Sequence, residues 1–312
     1  MTNNNSFNDK ASELIERFSQ TRPMHANSLL LSIYGDTISP RSENIWLGSL
    51  IKLVAPVGIS QRLVRTSVFR LSEKGILQSM QSGRRSYYSL TNRAYRQFVS
   101  SSKRIYASKP AQWDQQWRLV FTSLNDITME QREIIRKELY WLGFNRITVG
   151  VYGHPVADME DVKKLVQDLG MEDNIVMLQA SACDTEHVPL ANTLISQCFD
   201  LSDSSQQYSL LIDDFQPLLD SCGDVATLEP KLCFLIKTLL MHRYRHILLK
   251  EPDLPDELLP SDAVSRRARK VTGQLYKILQ PAADLYFSEI CEQDGSVYPP
   301  PPASYFERFK DV

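Results

Sequence analysis

The run from Ser49 to Leu90, SLIKLVAPVGISQRLVRTSVFRLSEKGILQSMQSGRRSYYSL, constrains the fold more than any other part of this 312-residue chain. Ile45, Trp46, Leu50, Leu53 and Val54 have helical spacing, Ser42 stands where a cap is needed, and Pro56 and Gly58 break the helix. Ser60 opens a second helix that extends to Lys74 and stops at Gly75. Two strand-like runs follow, Ile76 to Met80 and Arg84 to Leu90, joined through Gln81-Ser82-Gly83. Helix, sharp turn, helix and hairpin in that order predict a winged helix-turn-helix, a module that reads DNA.

Drawn on a helical wheel at about 100° per residue, the second helix puts Leu63, Val64, Ser67, Val68 and Leu71 on one arc. Gln61, Arg62, Arg65 and Thr66 fall on or near the opposite arc, with Arg70 at its edge. The apolar arc is expected to pack on Leu50, Leu53 and Val54, and the other to enter the major groove. A guanidinium can bond two guanine acceptors at once, and a Gln amide can do the same for adenine, so Gln61, Arg62 and Arg65 are the candidate base readers. Ser60 and Thr66 suit phosphate or base-edge contacts, and Arg70 joins the DNA-facing set. At the hairpin tip, Arg84 and Arg85 can meet phosphates or enter a narrow minor groove. Tyr88 and Leu90 share a parity and are expected to face inward. Phe69 projects from the charged arc. It either touches a thymine methyl or is covered by the hairpin or another part of the chain, and coverage is expected, since large aromatic rings are mostly buried.

Charge supports the same reading. The formal net charge of -2 hides a polarity: residues 1–110 hold 16 Lys+Arg against 6 Asp+Glu, and the rest hold 19 against 31. Between Ser60 and Pro110 there are 11 basic residues and one acidic residue, Glu73. A basic module on an acidic body fits a protein that meets a polyanion with one end only. The blander alternative is a solvated basic face without a partner. With 43% hydrophobic residues the chain can bury a core, and its length suits two or three domains. No apolar run is long enough to span a membrane, and the N-terminus lacks the apolar stretch of a signal peptide. The five cysteines are scattered, so neither a disulfide framework nor a zinc knuckle is expected, and cytoplasm is the expected compartment.

Beyond the hairpin the pattern changes twice. A short helix near Asn92–Ser101 and a linker at Lys109-Pro110-Ala111 close the first segment, residues 1–108, which opens with a helix over 8–20 capped by Asn8 or Asp9 and one over Ser28–Tyr34 ended by Gly35-Asp36. Residues 113–183 alternate: strand Gln116–Thr122, helix Met129–Leu142, strand Phe144–Tyr152, helix Met159–Leu169 and strand Asn174–Ala180. That order suggests a small ferredoxin-like sheet with one helical face. Residues 184–312 read as helical, over Leu190–Leu201, Gln206–Leu219, Leu228–Leu249 and Ala263–Leu279. The Pro-rich connection Glu251–Pro260 and a final PPPPASYF segment, expected to be extended on a surface, complete an α+β chain.

Catalytic signatures are absent: no P-loop, dinucleotide fingerprint, H-E-x-x-H or G-x-S-x-G occurs. His242 and His246 have metal-ligand spacing on a helix, but Arg243 and Arg245 beside them repel a cation, so no metal site is expected. His242, Arg243, Arg245 and Lys250 suit an anion instead, as a phosphorylated ligand would supply. The alternative is pairing with Glu251, Asp253, Asp256 and Glu257.

The segments IWLGSLIKLVAPVGISQRLVRTSVFRLSEKGIL and GRRSYYSLT resemble the transcriptional repressors of phenylacetic acid catabolism, the PaaX family. The resemblance continues through QWRLVF, through Leu142–Phe144 and HRYRHILLKEPDLPDELLP to SYFERF at Ser304–Phe309. It implies an N-terminal winged helix, a middle domain like the Cas2 nucleases and a helical C-terminal domain. It implies a non-enzymatic repressor, dimeric on operator DNA, without a cofactor and released by phenylacetyl-coenzyme A. It places DNA contact on the helix Ser60–Lys74 and on Arg84-Arg85. Two departures stand out. Cas2-type nucleases carry a metal-binding Asp at the end of their first strand, where this chain has Phe121-Thr122-Ser123, and family members carry a Trp where this chain has Ala263. A metal-dependent nuclease built on the middle domain and an architectural DNA binder without a ligand are the alternatives.

Overall fold

The computed structural model describes residues 2–21, 25–42, 44–107, 113–122, 127–181, 195, 202–223, 228–250, 254–258, 264–293 and 296–310. The expected linker at Lys109-Pro110-Ala111, the Leu190–Leu201 helix except Ile195, half of the Pro-rich connection and Ala263 lie outside them. The chain is α+β and packs into two compact units. One comprises Met1–Ser108, Ser209–Arg245 and Arg266–Val312, the other Lys109–Tyr208 and His246–Ser265. The division cuts differently from the three sequence segments: the first segment ends at 108, but it shares a unit with most of the helices after 208.

In the first unit α1 (Thr2–Gln20) starts six residues earlier than the capping signal suggested, because Phe7, Ala11, Leu14 and Ile15 form one buried stripe. α2 (Ala26–Ile33) does not end at Gly35-Asp36. It continues as a π-helical turn over Tyr34–Ile38, and Asp36 is buried. The expected helix from Ile45 begins two residues later, as α3 (Leu47–Val54). Before it, β1 (Asn44–Trp46) is extended and pairs with β3, burying Ile45. α4 (Gln61–Glu73), β2 (Leu77–Ser82), β3 (Arg85–Leu90) and α5 (Asn92–Ile105) follow, and the antiparallel sheet runs β1-β3-β2.

The second unit is built on β4 (Gln116–Phe121), α6 (Met129–Trp141), β5 (Asn145–Thr148), β6 (Val151–His154), α7 (Met159–Asp168) and β7 (Val176–Ser181). The expected single strand over Phe144–Tyr152 is a hairpin that turns at Gly150, whose φ of 75° is open to glycine at no cost. That extra strand completes the β-α-β-β-α-β order, with all neighbours antiparallel in the sheet order β5-β6-β4-β7. Val120 and Tyr152 of the sheet pack with Ile135 and Leu139 of α6 and with Val162 and Val166 of α7, which is the expected single helical face. Trp117 joins Ile195, Leu254 and Leu258 in a second, smaller cluster.

Among the described residues, three long helices follow: α8 (Ser202–Ser221), α9 (Pro230–Leu248) and α10 (Val264–Ile290). The short strands β8 (Glu292–Gln293) and β9 (Ser296–Val297) lead to α11 (Ala303–Phe306). The C-terminal segment is therefore not simply a surface strap: Tyr298, Tyr305 and Phe309 are buried. Among the described residues no helix is long and apolar enough to cross a membrane.

Candidate nucleic-acid interface

α4 is positioned by its back and by its cap. Val64, Ser67, Val68 and Leu71 are buried, as the periodicity predicts, and the helix packs on α2, α3 and β2. The chain enters it through a 3₁₀ turn over Ala55–Val57 and a left-handed Gly58 at φ 80°, with Ile59 buried. Ser60 is the cap: its Oγ accepts the Leu63 amide at 3.2 Å. Thr66 donates its hydroxyl to the Arg62 carbonyl at 3.0 Å. Gln61, Arg62, Arg65 and Arg70 are exposed on the opposite side.

Gly83, at φ 56°, and Arg84 form a two-residue turn that closes Ser82 on Arg85. Arg84 stands exposed at the tip. Arg85 begins β3, and its guanidinium lies over the Trp46 ring, 4.6 Å from the centroid. The turn fixes the register: Tyr88 and Leu90 share the face of their buried partners Ile45 and Leu77, with Tyr88 half-buried there, and Tyr87, on the opposite face across from Trp46, is buried as well. Phe69 is not covered. It is 64% exposed among the arginines of α4.

The basic residues expected to meet an anion in the C-terminal region are placed differently from one another. Arg243 pairs with Asp214, which also binds Arg17 at 3.0 Å. His242 is buried, with Nδ1 3.3 Å from Ser32 Oγ and its ring edge-on to Phe18. Arg245 reaches the same Ser32 Oγ at 3.2 Å and lies over Phe98, 5.3 Å from the ring centroid. Lys250 is exposed and belongs to the second unit. Glu251 and Asp253, two of the alternative partners, lie outside the described residues. Among the described residues no cluster of His, Cys, Asp or Glu has the arrangement to hold a metal ion.

Sequence reasoning missed an ion cluster buried in the first unit. Asp36 accepts from Lys237 Nζ at 2.8 Å, from the Tyr106 hydroxyl at 2.7 Å and from the Tyr276 hydroxyl at 3.0 Å. Arg308 Nη1 donates to the Asp36 carbonyl at 2.7 Å and to its carboxylate at 3.2 Å. Lys237 also donates to the Tyr305 hydroxyl at 3.0 Å, and that hydroxyl donates to Asp284, the partner of Arg41 at 2.6 Å. Burial alone would raise the Asp36 carboxyl; Lys237 and Arg308 more than offset it and hold it well below the usual carboxylate range. Arg308 is itself raised by its tyrosine and Asp36 neighbours against the opposing effect of burial. The available signals were a lone lysine in the apolar run LCFLIKTLL and an aspartate where α2 was expected to stop.

A β-α-β-β-α-β unit in a chain that also holds long helices and a small three-stranded sheet defines an α+β protein with a ferredoxin-like central part. The family models agree segment by segment: "PaaX-like protein" matches residues 25–94, "PaaX protein central Cas2-like domain" 110–190 and "PaaX-like protein C-terminal domain" 199–289. The chain belongs to the PaaX family. It is 34% identical over 295 residues to the transcriptional repressor PaaX of Escherichia coli (strain K12), covering 92% of this chain and 90% of that one. Among solved structures, the uncharacterized protein Rv0674 from Mycobacterium tuberculosis matches with a TM-score of 0.46 and 21% identity, over 76% of this chain and 89% of that one.

Proposed function

We propose that this chain is a DNA-binding transcriptional repressor of an aromatic-acid degradation operon, that of phenylacetate, and that phenylacetyl-coenzyme A releases it from its operator. Residues 1–108 carry the winged helix-turn-helix, with Ser60, Gln61, Arg62, Arg65, Thr66 and Arg70 on the reading helix and Arg84 and Arg85 on the wing. The observation that carries the reading is the exposed arginine surface, held on a capped helix whose back is buried and on a tight hairpin. Membership of the PaaX family supports the same assignment. The protein acts in the cytoplasm as a homodimer on double-stranded DNA. Two-fold symmetry sets two copies of α4 in successive major grooves, about 34 Å apart, on a palindromic site. No catalysis is assigned: the first strand of the middle segment ends in Phe121-Thr122-Ser123, where the nuclease relatives carry a metal-binding Asp.

A mobility-shift assay on the DNA upstream of the neighbouring operon tests this. The expected outcome is a sequence-specific complex that phenylacetyl-coenzyme A dissolves and that magnesium leaves uncut. Magnesium-dependent cutting would replace the reading with the nuclease. Sequence-independent binding without a thioester response would replace it with an architectural DNA binder.

A further inference from the structure

A cavity of about 480 Å³ opens beside the buried ion cluster of the first unit. Tyr95, Phe98, Val99 and Lys103 of α5 line it, together with Tyr106 and Arg308. The volume falls within the roughly 300–1,000 Å³ of small-molecule sites. Its chemistry is two-sided. Tyr95, Phe98 and Val99 offer an apolar wall with aromatic edges, Lys103 and Arg308 offer cations, and Glu307, paired with Lys310, is a carboxylate in the same lining.

We infer that this cavity receives the effector, an organic anion with an aryl or other apolar group at one end and a negatively charged group at the other, as in an aryl-acyl thioester of a phosphorylated carrier. This rests on the repressor reading above and gives its input a place. Arg308 has two allegiances. It lines the cavity, and its Nη1 holds Asp36 and the Tyr276 hydroxyl at 3.0 Å. An anion at the cavity mouth competes with Asp36 for the same guanidinium. Tyr106 is placed the same way, facing the cavity while its hydroxyl is bonded to Asp36.

The cavity is linked to the hairpin by covalent continuity and to α4 by packing. α5 begins two residues after β3 ends, and the cap residue Thr91 lies between them. Asp36 lies on the π turn that extends α2, and α2 packs on α4. The joint is tight: a Cβ on Gly35 would stand 2.6 Å from the Phe98 ring, so a ligand that displaces Phe98 acts directly on that turn. Arg245, from the anion-suited set, backs Phe98 from 5.3 Å. Release then follows if the ligand prefers the arrangement in which Arg308 has left Asp36, since a ligand of equal affinity for both arrangements shifts nothing.

The test uses the full chain with Val99→Trp, which fills the cavity from a residue that is 45% exposed, and with Lys103→Gln. Operator release is titrated with phenylacetyl-coenzyme A, and thioester binding to the DNA-free chain is followed by calorimetry. Phenylacetate and coenzyme A alone are run beside it to tell which end the cavity takes. Each variant should need about tenfold more thioester, or yet more, for half-release and show a matching loss in direct binding. Wild-type release together with undiminished release and binding in both variants overturns the cavity assignment alone. If the wild-type chain binds operator but neither binds nor responds to the thioester, the effector reading fails and takes this assignment with it. For a variant that has lost operator binding, calorimetry on the DNA-free chain decides.

Discussion

Lys237 is completely buried, and a buried ammonium is stable only where its desolvation is repaid. Asp36 at 2.8 Å, the Tyr305 hydroxyl at 3.0 Å and the Tyr276 ring at 5.0 Å from its centroid repay it. Arg308 and two tyrosines share Asp36, so the cluster behaves as one unit rather than as separate pairs. Lys237→Met should therefore destabilise the chain by about 3–5 kcal/mol, the usual cost of breaking one side of a buried ion pair. Asp36→Asn/Lys237→Met should cost clearly less than the two single changes added together, because neither charge is then left without its partner. Urea unfolding of the three variants measures this, and strict additivity would show that Asp36 and Lys237 are not coupled. None of this was legible beforehand. A lone lysine in LCFLIKTLL marks a buried charge in outline, but its partner is 201 residues away, and no local pattern names it. Tyr305 and Arg308 lie in the SYFERF run, which drew notice only as a family resemblance.

At the scale of elements, what repeats locally was legible and what depends on a distant partner was not. The 3.6-residue period alone fixed which side of α4 is buried, so the arginine arc was readable from sequence. The hairpin was readable too, and so was the parity that sets Tyr88 and Leu90 on one face; the burial of Tyr87 on the other face was not, since it depends on what that face of the sheet meets. The π turn at Tyr34–Ile38 escaped because Gly35-Asp36 is an ordinary helix stop, overridden here by the bonds that Asp36 makes. β1 escaped because it becomes a strand only by pairing with β3. On the proposed reading, α4 and the β2–β3 hairpin should separate in their energetics. Arg65→Ala is expected to lose about 1–3 kcal/mol of discrimination between the operator and a site with one base pair changed. Arg84→Ala, at the tip of the hairpin proposed to meet the backbone, should weaken operator and mutant sites alike and shallow the salt dependence by about one charge. Competition mobility shifts across a set of single-base operator variants distinguish the two, and unchanged discrimination in Arg65→Ala would remove its assignment as a base reader. Phe69, exposed within the same arc, has the position to touch a thymine methyl, and the same assay on Phe69→Ala reads that contact.

At the scale of the molecule, the charge polarity was plain in the sequence, but the joining of the N-terminal segment to the late helices in one unit was not, since it is made by side chains hundreds of positions apart. That joining has a pH signature. The Asp36 carboxyl is held low by Lys237 and Arg308 against burial, so its contribution to stability is present above the unfolded carboxylate value of about 3.9 and is lost as pH falls below it. Burial pushes the Cys233 and Cys291 thiols up to about 12, so their protonated forms favour the fold below the unfolded thiol value of about 8.5 and oppose unfolding less as pH rises past it. Lys237, raised by Asp36 and its tyrosine and aspartate neighbours against the opposing effect of burial, adds a contribution that persists until pH passes about 10.4 in the unfolded chain and is lost above that. Together these give a stability plateau between about pH 5 and pH 8, with an acid limb from the ion cluster and an alkaline limb led by the thiols. In thermal melts across this range Asp36→Asn should start from a lower midpoint and lose less of it between pH 5 and pH 3 than the wild-type chain. An acid limb as steep in Asp36→Asn as in the wild-type chain would mean that other carboxylates set the acid stability and that the buried cluster does not hold the N- and C-terminal segments together.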